Sequence, residues 1–241
     1  MKEIGKNSGM RCLISALFLI SCSLSALCAA EPPMWKSLTP QQQASLSQGT
    51  PVVIEENVAD NPWPRYVVYR LVNASAVKAA AVFWDCELDT QYVPNCLSVR
   101  SVARPKPWIH EAEYTLKMPL FLPDEVYVSR NELKIPSPGI YEISWKVLHA
   151  RYITGSTGNL RIEPVAVTGE TGEKALMRYS NLVIPGGRIA GLLRAQARNE
   201  VVDSVNALAR QVDQESAQIV AKQITALNKA SAGTGAPSPS R

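Results

Sequence analysis

From 108 to 118 the chain changes character at every residue: Trp108, His110, Ala112, Tyr114, Leu116 and Met118 form an apolar and aromatic series, and Ile109, Glu111, Glu113, Thr115 and Lys117 a largely charged one. Neighbouring side chains of a strand point to opposite faces, so this pattern dictates a strand with one side in a core and the other in water. The alternation returns at Tyr141, Ile143, Trp145, Val147 and His149 against Glu142, Ser144, Lys146 and Leu148, which gives a second strand facing the same interior. Further strands are expected at 52–58, 65–72, 97–104, 125–135, 159–167 and 173–184, with turn signals at Pro136-Ser137-Pro138-Gly139, Gly155-Ser156-Thr157-Gly158 and Gly169-Glu170-Thr171-Gly172. Such short connections join antiparallel neighbours, so the expected sheet is a meander.

Helical signals are fewer. The segment 74–84 is rich in Ala with Ser75 as an N-cap, and a second short turn over 88–92 ends at Pro94. Much later, a stretch opening at Gly186-Gly187 runs to about Lys229 with Ile189, Leu192, Leu193, Val201, Val205, Leu208, Val212 and Ile219 at spacings that describe one long amphipathic helix. The order is strand, two short helices, strands, long helix. This predicts an α+β domain over 51–229: a curved antiparallel sheet of about six to seven strands, with the long helix packed on its concave face. Residues 31–50, where Thr39-Pro40 marks a helix start, read as a short helix or leader segment, and 230–241 as a disordered tail.

Ahead of the domain, Lys2, Lys6 and Arg11 precede 17 uncharged residues, 12–28, and small side chains lead up to Glu31. This is the layout of a secretory signal peptide over 1–30; the alternative, a retained anchor, needs a longer apolar stretch of about 20 residues. Cleavage after Ala30 releases a soluble product, whereas Leu19-Ile20-Ser21-Cys22 resembles a lipoprotein box that would leave the chain anchored to a membrane through Cys22. The expected location is therefore the periplasm or the outside of the cell, free or lipid-anchored. Without the leader the chain carries 22 basic and 20 acidic residues, scattered rather than clustered, and nucleic acid is not an expected partner.

Cys86 and Cys96 are the two cysteines beyond the leader. In an oxidising compartment they are a disulfide candidate; the alternative is two buried thiols. A zinc site lacks ligands near them, and neither a metal nor a cofactor is expected. No Gly-x-Ser-x-Gly, phosphate loop or His-Glu-x-x-His is present. His110 and His149 fall on the apolar faces of their strands, where each is a cavity base or a core residue satisfied locally. Trp84, Tyr92, Trp108, Tyr114 and Trp145 suit a cavity wall or a filled core equally well. Asp85 and Asp89 flank Glu87 at the end of a short helix and read as solvated charges. Val201, Val205, Leu208, Val212 and Ile219 keep a seven-residue rhythm, but Glu215 and Lys222 interrupt it, so a homodimer through the C-terminal helix would be an imperfect coiled coil.

The sequence resembles the START-like superfamily of helix-grip domains, which includes lipid-transfer domains, polyketide cyclases and coenzyme-Q-binding proteins. The resemblance rests on the element order, on 79–95, where the Ala-rich helix passes through acidic residues into Tyr92-Val93-Pro94, and on the helix after Ile184-Pro185-Gly186-Gly187. It implies a cavity between sheet and long helix for a lipid or another hydrophobic small molecule, with Trp84, Tyr92, Trp108, His110, Tyr114, Trp145, His149 and Leu192 as candidate ligand-binding residues. The function so implied is binding or transfer of that ligand in the cell envelope, with contact to a membrane surface as a further expectation. The alternatives are an aromatase- or cyclase-type enzyme using His110, His149 or Arg130, and a structural scaffold with a filled core.

Overall fold

The computed structural model describes residues 33–118, 122–169, 171–186 and 190–232, with the side chains of 190–193 and 195 left out. The expected signal peptide, Cys22 and residues 233–241 of the tail lie outside the described residues.

Eight strands form one antiparallel sheet: β1 (Val52–Glu56), β2 (Arg65–Val72), β3 (Cys96–Lys106), β4 (Ile109–Leu116), β5 (Glu125–Ser137), β6 (Ile140–His149), β7 (Ile153–Val165) and β8 (Lys174–Pro185). Strands β3 to β8 are the expected meander, and with β1 and β2 the sheet has eight strands, one or two more than expected. The hairpin β1–β2 joins β8, giving the order β1-β2-β8-β7-β6-β5-β4-β3. To reach β3 the chain must cross the whole sheet after β2. It does so through α3 (Ala76–Trp84), a 3-10 turn (Cys86–Leu88) and α4 (Asp89–Tyr92), which lie across the concave face. Ser75 caps α3 by accepting from Lys78 N, and Ala79, Ala80 and Ala81 let the helix approach closely enough to be fully buried.

The segment Gly155 to Gly158, read as a turn, lies inside β7. Gly155 pairs with Ile184 and Gly158 with Trp145 and Asn181. A methyl on Gly158 would lie 2.2 Å from the Trp145 ring, so glycine is needed there to let the indole lie over the sheet.

The single long helix is two. Helix α5 (Ala190–Gln214) crosses the concave face, and α6 (Ala217–Ser231) starts afresh at Ser216, whose hydroxyl accepts from Ile219 N. An N-cap side chain competes with continuation of the preceding helix, and here it ends α5 without Pro or Gly. Helix α6 packs on α3, burying Val220, Leu227 and Ala230, while Ile219, part of the seven-residue rhythm, is 44% exposed.

The main core lies between the concave face and α3, α5 and α6, centred on Val68, Leu133, Tyr141, Ile143, Leu160, Ile162 and Leu208. A second cluster covers the opposite face of the sheet. There α1 (Met34–Ser37) and α2 (Pro40–Ser47), the latter opened by a Thr39–Gln42 capping box, pack Met34, Leu38 and Leu46 on Leu71 and Leu176. The Met34 N–H donates to Glu163 Oε2 at 2.8 Å, which fixes this segment to β7.

Candidate functional site

The concave face and α5 are not in contact along their whole length. Towards the end of the sheet where β4 turns into β5 and β6 into β7, they part around a cavity of about 280 Å³. Alternation places Tyr114 of β4, Tyr127 of β5, Trp145 of β6 and Tyr179 of β8 on its wall, and α5 closes it with Val201, Val205 and Leu208. The rings form two pairs. Tyr114 and Tyr127 oppose each other in register and stack with centroids 4.9 Å apart, and Trp145 and Tyr179 lie 4.9 Å apart at 36°. Ser129, Asn131, Ser156 and Asn181 add a polar strip, with Ser156 Oγ donating to Asn181 Oδ1 at 3.2 Å.

Asp89, on the first turn of α4, contributes a buried acid to the wall, as Glu125 of β5 does. It is 7% exposed and is not the solvated charge expected from its position after a short helix. Crossing the concave face, the α3–α4 connection turns this side chain inward, while Glu87 stays exposed and Asp85 accepts from Gln223 of α6 at 3.3 Å. The hydroxyl of Tyr114 donates to Asp89 Oδ2 at 2.6 Å, and that of Tyr92, one helical turn on, donates to Oδ1. Burial pushes the Asp89 carboxyl up to about 7, only partly opposed by the two phenol hydrogen bonds that favour its charged form. Burial and the adjacent carboxylate push the phenols of Tyr92, Tyr114 and Tyr127 well above their ordinary value, and burial does the same for Tyr179.

Of the residues singled out from sequence, Tyr92, Tyr114 and Trp145 line this cavity. Trp84 is buried at the end of α3, and Trp108 sits in the β3–β4 turn under the Lys106 ammonium. His110 is 1% exposed, with Nε2 placed 3.1 Å from Ser101 Oγ and 3.6 Å from Cys86 Sγ and its ring against Trp84; burial pulls it down to about 4. His149 is exposed. A bulge at Leu148, where Val128 pairs with His149 but Ser129 pairs with Val147, turns it to the outer face. The side chain of Leu192, in the first turn of α5, lies outside the described residues. Cys86 and Cys96 are free thiols rather than a disulfide: Cys86 faces His110, Cys96 faces Ser98 O, and burial pushes them up to about 12 and about 11. Sequence reasoning missed Asp89, Tyr127 and Tyr179. The phase of 125–135 and 173–184 would have found the two tyrosines, and the three-residue spacing of Asp89 and Tyr92 would have placed both on one helix face.

No family model matches the sequence, and no curated protein matches it. Solved structures do. The STAR-related lipid transfer protein of Xanthomonas axonopodis superposes with a TM-score of 0.57 at 14% identity, over 68% of this chain and 94% of that one. Human STARD10 gives 0.55 at 13%, over 78% and 84%. The lipid transfer and protein localization domain of human StarD13 gives 0.52 at 12%, over 73% and 95%. The chain has the START-like helix-grip fold. In this helix grip α5 crosses the concave face, α4 carries Asp89, α6 packs on α3, and the α1–α2 segment covers the opposite face of the sheet.

Proposed function

We propose that this protein binds a hydrophobic small molecule between the concave sheet face and α5, and that it does so after export to the cell envelope. The observation that carries the reading is the cavity itself, which is open space where a filled core would place side chains. Its volume falls near the lower end of the roughly 300–1,000 Å³ typical of small-molecule sites, and its wall combines apolar and aromatic surface with a few placed polar groups. The names of the solved START-like neighbours, which are lipid-transfer proteins, agree with an apolar ligand. A medium-length single chain or a small ring system suits a cavity of this volume better than a two-chain lipid. Export rests on the basic and apolar leader of 1–30.

The aromatase- or cyclase-type reading asks for His110, His149 or Arg130 in the cavity, and none of the three lines it; Arg130 pairs with Glu111 on the outer face. The scaffold reading asks for a filled core and a free final helix, whereas α6 is spent on α3.

The test is extraction and native mass spectrometry of protein recovered from an envelope fraction, with sequencing of its N-terminus. Co-purifying apolar molecules and a start at Glu31, or at acylated Cys22, are expected. Repeated absence of any bound molecule, with no uptake of eight-carbon amphiphiles added to the protein, sinks the binding reading, and an intact Met1 in the cytoplasm sinks export.

A further inference from the structure

The charge on the cavity wall specifies what the ligand must carry. Four wall residues are ionisable as acid or amine: Asp89, Glu125, Glu200 and Lys117. Each of the three carboxylates accepts two hydrogen bonds from neutral donors of the protein. Glu125 accepts from the backbone N–H groups of Arg151 and Tyr152 at 2.6 and 2.8 Å, and Glu200 accepts from Asn95 and Gln196 at 3.0 and 2.8 Å. The donors to Asp89 are two phenols, a carboxylate has about four acceptor positions, and among the described residues no Lys, Arg or His lies within ion-pair distance of it. A buried carboxylate without a counter-charge is costly unless something supplies one. The same cavity is lined by Tyr114, Tyr127, Trp145 and Tyr179, and aromatic faces attract cations, most strongly where water is excluded.

We propose that the ligand is a small lipophilic amine, whose ammonium group meets the Asp89 carboxylate between Tyr92 and Tyr114 while its apolar part lies against Trp145, Val205 and Leu208. This rests on the binding reading above and names the ligand class of the same cavity. The amine donates to the acceptor positions that the two phenols leave open, and the aromatic walls surround the rest of its charge. A neutral alcohol would make the hydrogen bond without the Coulombic attraction, and a carboxylic acid would place like charge against Asp89.

The test is calorimetric titration of the purified protein with three matched eight-carbon probes: octylamine, 1-octanol and octanoate. At about pH 8 octylamine is expected to bind at least about tenfold more tightly than 1-octanol, with octanoate weakest. Asp89→Asn is expected to remove at least about tenfold from octylamine and to weaken 1-octanol, which loses no ion pair, by clearly less than that. The pH dependence of the unmodified protein gives the same answer should the variant not fold. The Asp89 carboxyl is held at about 7, so octylamine affinity should fall about tenfold between about pH 8 and pH 6, while 1-octanol stays level. The groups facing Asp89 are the phenols of Tyr92, Tyr114, Tyr127 and Tyr179, the thiols of Cys86 and Cys96, and the Asp85 carboxylate; burial keeps the phenols and thiols protonated across that range. Equal binding of octylamine and 1-octanol at about pH 8, or tighter binding of octanoate, overturns the amine and leaves the binding cavity standing. Failure of all three probes to bind removes both.

Discussion

Strand β4 carries two buried polar centres four residues apart on one face, and they have opposite characters. At Tyr114 the side chain donates to Asp89 beside open space; at His110 the ring is enclosed by Ser101, Cys86 and Trp84 and takes no part in the wall of that cavity. Both centres are driven towards neutrality by burial, Asp89 upward and His110 downward. The His110 ring is surrounded by protein, whereas Asp89 has acceptor capacity that the protein leaves unused. A buried ionisable group therefore points to a ligand only where unused capacity and unfilled volume coincide, which separates the open half of this helix grip from its packed half.

The largest expected difference between the halves is in packing. Leu133→Ala, at a fully buried position of the packed half, should cost about 2–5 kcal/mol because it opens a new void. Val147→Ala borders space that already exists and should cost under about 1 kcal/mol, since the methyls it removes have few partner atoms on the cavity side. Urea unfolding of both variants decides it; equal costs would mean that the two halves are equally filled in solution.

Next comes the pH dependence of the open half. Asp89 is raised to about 7 in the folded chain against about 3.9 unfolded, so the folded state holds more protons between those values. Its contribution is fully present below about pH 4 and is lost as pH rises through about 7, on the order of a few kcal/mol. Asp89→Asn should abolish that fall and be the more stable protein at about pH 8. A variant whose midpoint-against-pH curve parallels the parent would show that Asp89 is hydrated.

The packed half has the opposite sign. His110 is lowered to about 4 from an ordinary value near 6.5, so its contribution is present above about 6.5 and disappears as pH falls towards 4, on the order of 2 kcal/mol. Thermal unfolding of His110→Gln across that window should show a flatter acid limb than the parent. An unchanged limb would place the imidazole in water.

How far the halves could be told apart in the sequence follows from the range over which each signal acts. Alternation is local, so the inward placement of Ala112, Tyr114, Tyr141 and Ile143 was legible, and with it the sheet and its concave core. Three features were not legible because the deciding partner is remote in sequence or the cue is a single residue. Pairing of β2 with β8 depends on a chain reversal more than a hundred residues later. The outward turn of His149 depends on one extra residue at Leu148 relative to β5. Burial of Asp89 depends on the α3–α4 connection lying across the sheet, whereas Glu87 and Thr90, two residues before it and one after, are exposed. Gly155 and Gly158 mimic a turn because strand glycines, here one against Ile184 and one under Trp145, have the same composition as a loop. The end of α5 was readable in part: Ser216 is a good N-cap, and the charged Glu215 already broke the seven-residue rhythm.

The smallest test works inside the open half and separates ring from hydroxyl. Tyr114 and Tyr127 stack almost parallel, at 4°, yet only the Tyr114 hydroxyl reaches Asp89, at 2.6 Å. Tyr114→Phe keeps the stack and removes one donor that favours the charged carboxylate, so Asp89 should be raised further and the fall in stability with rising pH should extend to a higher pH. Above that range the variant should be less stable by about 1–2 kcal/mol, the scale of a hydrogen bond to a charged group. Tyr127→Phe removes a hydroxyl that does not touch Asp89 and should leave the pH midpoint where it is, with stability within about 0.5 kcal/mol. If the two substitutions move the midpoint alike, the carboxyl senses the general polarity of the tyrosine wall rather than a specific hydrogen bond, and the distinction between Asp89 as a poised acceptor and His110 as a satisfied core group would then rest on the cavity alone.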